Sequence, residues 1–149
     1  MTDVPQARPP AATPRTTTPA RTRTRGTGDL GLATPISQPA CDGTGIVVVG
    51  NAVNASTRTA DISTYLRQYP GSQYLRTDVS CGSLRDRDDY GNVIYAVYRV
   101  AGRSRSDLCS LRAELGALAA QLGNDGPYGK WLDNTTDPST FISPADCGQ

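Results

Sequence analysis

The sequence contains no histidine and has a single lysine (Lys130), methionine, tryptophan (Trp131) and phenylalanine. Without histidine there is no usual general base at neutral pH, no His-dependent triad, and not the commonest metal ligand. No Ser-x-x-Lys motif leads the one lysine, and Asp86 and Asp88 fall in a turn-like stretch rather than on paired elements. Neither a serine–lysine pair nor a hydrolytic carboxylate pair is legible, so the chain is not expected to be an enzyme or to need a cofactor. Asp86, Asp88 and Asp89 invite a calcium loop. The fifth position of that pattern is Tyr90, however, and no glutamate stands at the twelfth, so no metal is expected.

Long apolar runs are also missing. Nothing approaches the roughly 18 apolar residues that read as a membrane span, so this chain is not expected to insert into a membrane. Met1–Arg25 has no apolar core of a signal peptide. The net charge of +1 supplies no global drive toward nucleic acid. Residues 1–40 carry five Arg and two Asp, and residues 41–149 ten basic and twelve acidic side chains. An acidic domain without a basic–aromatic RNP pattern is not expected to bind nucleic acid.

Four cysteines are present, Cys41, Cys81, Cys109 and Cys147, with no Cys-x-x-Cys spacing. An even, dispersed set in a small domain reads as two disulfides and an oxidising, extracytoplasmic compartment. Export then calls for a membrane segment upstream in a longer parent chain, or for a start that is incomplete.

Residues 1–40 are rich in Pro, Thr, Ala and Arg and have no periodicity, which reads as a disordered linker before a domain at 41–149. It is expected to be a passive spacer; the alternative is contact of Arg21, Arg23 and Arg25 with anionic polymers. In the domain, Ile46–Val49 is a continuous apolar run, the signature of a buried strand. Asn54 or Ser56 can cap a helix to about Tyr69, with Ile62, Tyr65, Leu66 and Tyr69 on one face and Pro70-Gly71 ending it. Alternation over Ser72–Ser80 predicts a strand, and Cys81–Asn92 a loop. Val93–Val100 is a second apolar strand. Leu108, Leu111, Leu115, Leu118 and Leu122 mark a helix that Ser104 and Asp107 cap and Gly123 stops. Tyr128–Asp133 reads as a last strand, with Trp131 in the core.

The order β-α-β-β-α-β is that of the ferredoxin-like arrangement: an α+β fold with a four-stranded antiparallel sheet and two helices on one face. It makes the first and third strands central, and these are the two most apolar. Because the last strand runs antiparallel beside the first, the chain after it should return to where the first began, pairing Cys147 with Cys41. By exclusion Cys81 would meet Cys109. The other sheet face would be bare, and alternation puts Tyr74, Arg76 and Asp78 on it with Tyr95, Val97 and Arg99. Tyr74, Arg76, Asp78, Tyr95 and Arg99 are therefore the candidate ligand-binding residues: aromatics with arginines suit sugar rings and acidic groups.

Four segments carry a resemblance: Cys41-Asp42-Gly43-Thr44-Gly45-Ile46-Val47-Val48-Val49, Tyr74-Leu75-Arg76-Thr77-Asp78, Gly91-Asn92-Val93-Ile94-Tyr95-Ala96-Val97-Tyr98-Arg99 and Tyr128-Gly129-Lys130-Trp131-Leu132-Asp133. Together with the cysteine positions, the region Cys41–Cys147 resembles the C-terminal extracytoplasmic region of some actinobacterial transmembrane serine/threonine protein kinases. The resemblance implies a kinase domain and a membrane helix upstream in the parent architecture, neither of which this sequence contains. It carries over no kinase activity. Val47–Asn54 and Tyr95–Gly102 are more loosely similar, at the level of fold, to SPOR-type peptidoglycan-binding modules. The expectation is a non-catalytic extracytoplasmic binding or sensor domain of such a kinase or a derived stand-alone protein. A cell-wall glycan or envelope protein is the expected partner. The alternative is a protein–protein or homodimerisation module.

Overall fold

The apolar run Ile46–Val49 lies inside β1 (Thr44–Ala52), a strand bonded to a neighbour on each side. The computed structural model describes residues 25–149. After β1 come α1 (Arg58–Gln68), β2 (Gln73–Arg76), β3 (Tyr95–Gly102), α2 (Arg105–Leu122) and β4 (Tyr128–Leu132). The sheet order is β2-β3-β1-β4 with every pairing antiparallel, the ferredoxin-like α+β arrangement. Both helices pack on one face. Ile62 and the flanking Tyr69 from α1, and Leu108, Leu115 and Ala119 from α2, meet Val47, Val49, Tyr74, Tyr95 and Val97 of the sheet in one core.

The helix boundaries follow local chemistry. Ser104 Oγ accepts a hydrogen bond from the Asp107 amide at 3.0 Å, and Gly123 closes α2 in the left-handed conformation at φ 72°. At α1 neither Asn54 nor Ser56 is the cap. Asn54 Oδ1 instead accepts from the Ser56 amide and hydroxyl, forming a turn one step before the helix. In β1 the register slips between Val48 and Gly50, a bulge that lets Val49 and Gly50 both face the helices. Gly50 is required there, because a Cβ would lie 2.4 Å from the Tyr65 ring.

The expected strand over Ser72–Ser80 stops at Arg76 and gives way to a 3-10 turn, Thr77–Val79. That turn redirects the chain over the far sheet face, away from the helices. The connection from β2 to β3 crosses to the opposite edge, where the Gly82 amide donates to Asn134 Oδ1 (2.8 Å) and the Ser83 amide to the Asp133 carbonyl (2.9 Å). Ser83 Oγ donates to the Trp131 carbonyl (2.6 Å). Cys81 and Leu84 are thereby buried in a second core with Ile46, Val48, Leu75, Ala96, Tyr98 and Leu132. The far face is not bare.

This path corrects the expected disulfides. The bonds are Cys41–Cys81 and Cys109–Cys147, not Cys41–Cys147 and Cys81–Cys109. The crossing connection delivers Cys81 to the edge where β1 begins. The tail after β4 does not stay there: it doubles back, pairing Ile142 with Gly129, and ends beside α2.

The described part of the expected 1–40 linker, residues 25–40, packs on the domain as a strap. Ile36 is buried in the helix-side core, with Leu30 and Leu32 against it. The Ser37 amide donates to the Tyr74 carbonyl (2.8 Å), occupying part of the outer edge of β2. Residues 1–24, with Arg21 and Arg23, lie outside the described residues. Arg25 bonds Asp29 within the strap (3.0 Å).

Candidate functional site

Alternation correctly groups Tyr74, Arg76, Tyr95, Val97 and Arg99 on one face, but that face is the one under the helices. Tyr74 is 0% and Tyr95 2% exposed. Their polar ends are taken up by the strap: the Leu30 amide donates to the Tyr74 hydroxyl (3.0 Å), Tyr74 donates to Asp29 (3.2 Å), and Tyr95 donates to the Gly28 carbonyl (2.8 Å). Arg76 forms a two-pronged pair with Asp78 (2.7 and 2.9 Å), to which Arg87 adds at 3.6 Å. Arg99 is not part of that network and stands 3.9 Å from Glu114. Burial and mutual satisfaction leave Tyr74, Tyr95, Arg76 and Asp78 little surface to offer a ligand, while Arg99 is partly exposed beside α2. The first four bind the strap and the turn after β2 to the sheet.

A space that could hold a ligand lies on the opposite face. Between the crossing connection and the tail after β4, the sheet leaves a cleft of about 540 Å³. Val48 and Ala96 form its floor; Leu84, Arg85, Asp88 and Asp89 make one wall; Tyr128, Lys130, Pro138 and Phe141 make the other. Most of the lining is apolar. Asn51 donates to the Tyr128 hydroxyl (2.9 Å), and the Phe141 ring meets Tyr128 edge-on at 5.8 Å. Phe141 is half-exposed at the rim of the cleft.

Three of the charged groups in the walls are engaged locally. Arg85 pairs with Asp89. Asp88 accepts from the amides of Tyr90 (2.9 Å) and Asn92 (2.8 Å), so its carboxylate closes the loop that the sequence offered to calcium. Lys130 is 8% exposed, and Nζ donates to the carbonyls of Pro138 and Thr140, each at 2.8 Å. Burial lowers its pKa from the ordinary lysine value, against a smaller opposing effect of Asp137. The sequence offers Lys130 only as the partner of a catalytic serine; that the only lysine in the chain stands between Tyr128 and Leu132 on one strand face is the signal that would have placed it in the cleft.

Seven aspartates hold their carboxyls below the usual range. Hydrogen bonds from Thr44 act on Asp42, the Arg76 guanidinium on Asp78, and the Asn92 side chain on Asp88. The Thr136 amide acts on Asp133, Ser139 on Asp137, and the Ser143 amide on Asp146. At Asp29 burial raises the pKa, but amides of Ile36 and Gly31 and the Arg25 guanidinium together outweigh it. A carboxyl whose folded pKa is lowered contributes stability that is present above the unfolded value of about 3.9 and is lost as pH falls through the folded one. The melting temperature is therefore expected to hold from pH 7 to about 5 and to fall steadily from pH 4 to 2. A flat melting profile between pH 5 and 2 would show that these turns contribute nothing.

Comparison with protein-family models, with curated proteins and with solved structures finds no match to this chain. Among the described residues no helix is long and apolar enough to cross a membrane.

Proposed function

We propose that the chain is a non-catalytic extracytoplasmic binding or sensor domain, belonging to a membrane serine/threonine kinase or a stand-alone derivative. It would take a cell-wall or envelope ligand in the cleft on the far sheet face. The observation that carries this reading is the cleft itself, a concave and mainly apolar site within the size range of small-molecule pockets, about 300–1,000 Å³. Its walls are two connections, each tied to the body by a disulfide, which suits an oxidising compartment. Homodimerisation through a sheet edge has less support, since Ser37 occupies part of the edge of β2 and Ile142 part of that of β4.

Retention of the full chain on purified peptidoglycan tests the reading. The wild type is expected to pellet with the polymer, and Phe141→Ala to lose most of that retention. Tyr90→Ala, which removes an exposed aromatic from the loop tip outside the lining, should leave it unchanged. No retention, combined with dimers that form as concentration rises, would favour the homodimer instead.

A further inference from the structure

Taking the cleft as the binding site, we propose that it receives a carboxylate carried on a sugar-sized body, with the Lys130 ammonium as the counter-ion. An ammonium has three N–H donors. Two of those of Lys130 go to the Pro138 and Thr140 carbonyls. Among the described residues no carboxylate lies within ion-pair distance of Nζ, whereas Arg85 and Arg76 each have one. Asp137 acts on the ammonium only from beyond ion-pair distance, and its Oδ1 accepts from the amide (2.8 Å) and hydroxyl (2.6 Å) of Ser139. Carbonyl dipoles fix the ammonium in place but supply no opposite charge, and a buried cation without one is costly.

On the other wall Arg85 and Asp89 neutralise each other, while Asp88 keeps its negative charge with its oxygens occupied by loop amides and the Asn92 side chain. Among the lining residues Lys130 is thus the one cation without a carboxylate partner, with one donor left over. A single donor in a cleft that also holds the Asp88 carboxylate matches a monoanionic carboxylate better than a phosphate, which carries more charge and draws on several donors or a guanidinium fork. The body attached to the carboxylate meets Val48, Ala96 and Phe141, with the Asn51–Tyr128 pair as a polar neighbour. Aromatic and apolar surface beside an amide suits the mixed faces of a pyranose ring.

Because the chain has one lysine, a lysine-labelled sample of the full chain gives one side-chain resonance for the group in question. The probes are N-acetylmuramic acid, N-acetylglucosamine, which has the same ring without the lactyl carboxylate, and free lactate. N-acetylmuramic acid is expected to shift the lysine signal and those of the cleft, with at least tenfold weaker effects from the other two. Lys130→Met should lose at least tenfold in affinity for N-acetylmuramic acid and with it the preference over N-acetylglucosamine. Should that variant misfold, the comparison of probes on the wild type decides alone. Equal binding of the two sugars, or cleft signals that move while the lysine signal stays, overturns the carboxylate and leaves the cleft reading standing. Lactate as effective as N-acetylmuramic acid overturns the sugar body. If none of the three moves any cleft signal, the carboxylate proposal falls, and peptidoglycan retention judges the cleft separately.

Discussion

Replacing Cys41 and Cys81 together by alanine is expected to lower unfolding free energy by about 4 kcal/mol, the chain-entropy value for a loop of this length. The bonded residues are 40 apart, and those of Cys109–Cys147 are 38 apart, so the two bonds should contribute nearly equally to global stability. In a domain with a margin of about 5–15 kcal/mol, either loss is severe. Their local consequences differ. Cys81 belongs to the second core with Leu84, so releasing it should free the crossing connection and raise hydrogen exchange in Cys81–Asn92. Releasing Cys109–Cys147 should instead loosen the tail and the Ile142–Gly129 bridge, the other side of the cleft. Urea titration reads the first quantity and exchange mapping the second. A double variant that loses less than about 1 kcal/mol would remove the staple from the account of stability. A non-reduced digest linking Cys41 to Cys147 would contradict the chain path itself.

That path marks the limit of what the sequence discloses. Strand order, the central position of Ile46–Val49 and Val93–Val100, and the leucine face of α2 from Leu108 to Leu118 follow from the sequence pattern, and the structure has them; Leu122, in the last turn, is exposed. The disulfide partners depend on where irregular segments run, and periodicity is silent there. The one apolar cue in the crossing connection is Leu84, and a single leucine in a charged loop does not reveal that it caps a sheet. The candidate residues lie on the covered face for a related reason. The pattern placed Tyr74 and Tyr95 together but could not choose the face, and hydroxyl and guanidinium groups suggested the wet one. The two hydroxyls are buried because the strap brings Gly28, Asp29 and Leu30 to meet them, and the Arg76 guanidinium is satisfied by Asp78. In a stretch dominated by Pro and Thr, the spaced apolar residues Leu30, Leu32 and Ile36 were the only trace of that strap.

The strap gives the other large effect. Ile36→Ala removes a side chain that is 7% exposed in the helix-side core, and a loss of about 2–3 kcal/mol is expected, near the low end for such truncations. For a domain of this size that corresponds to a fall in melting temperature of roughly 6–12 °C. The polar half of the attachment is separable. Asp29 accepts from the Ile36 amide (2.9 Å), the Gly31 amide (3.0 Å) and the Tyr74 hydroxyl (3.2 Å), so it both shapes the strap and fastens it to β2. Tyr74→Phe leaves Asp29 its amide donors but takes the acceptor from the Leu30 amide and should cost about 1–2 kcal/mol, whereas Asp29→Ala orphans the Ile36 and Gly31 amides and should cost about 1–3 kcal/mol. Since the two share a hydrogen bond, the double variant should cost less than the sum of the singles, by about 0.5 kcal/mol or more. Strict additivity would mean that the strap is held by Ile36 and its apolar neighbours alone. An Ile36→Ala variant as stable as the wild type would mean that residues 25–40 lie on the domain without supporting it, returning them to the role of spacer that their composition first suggested.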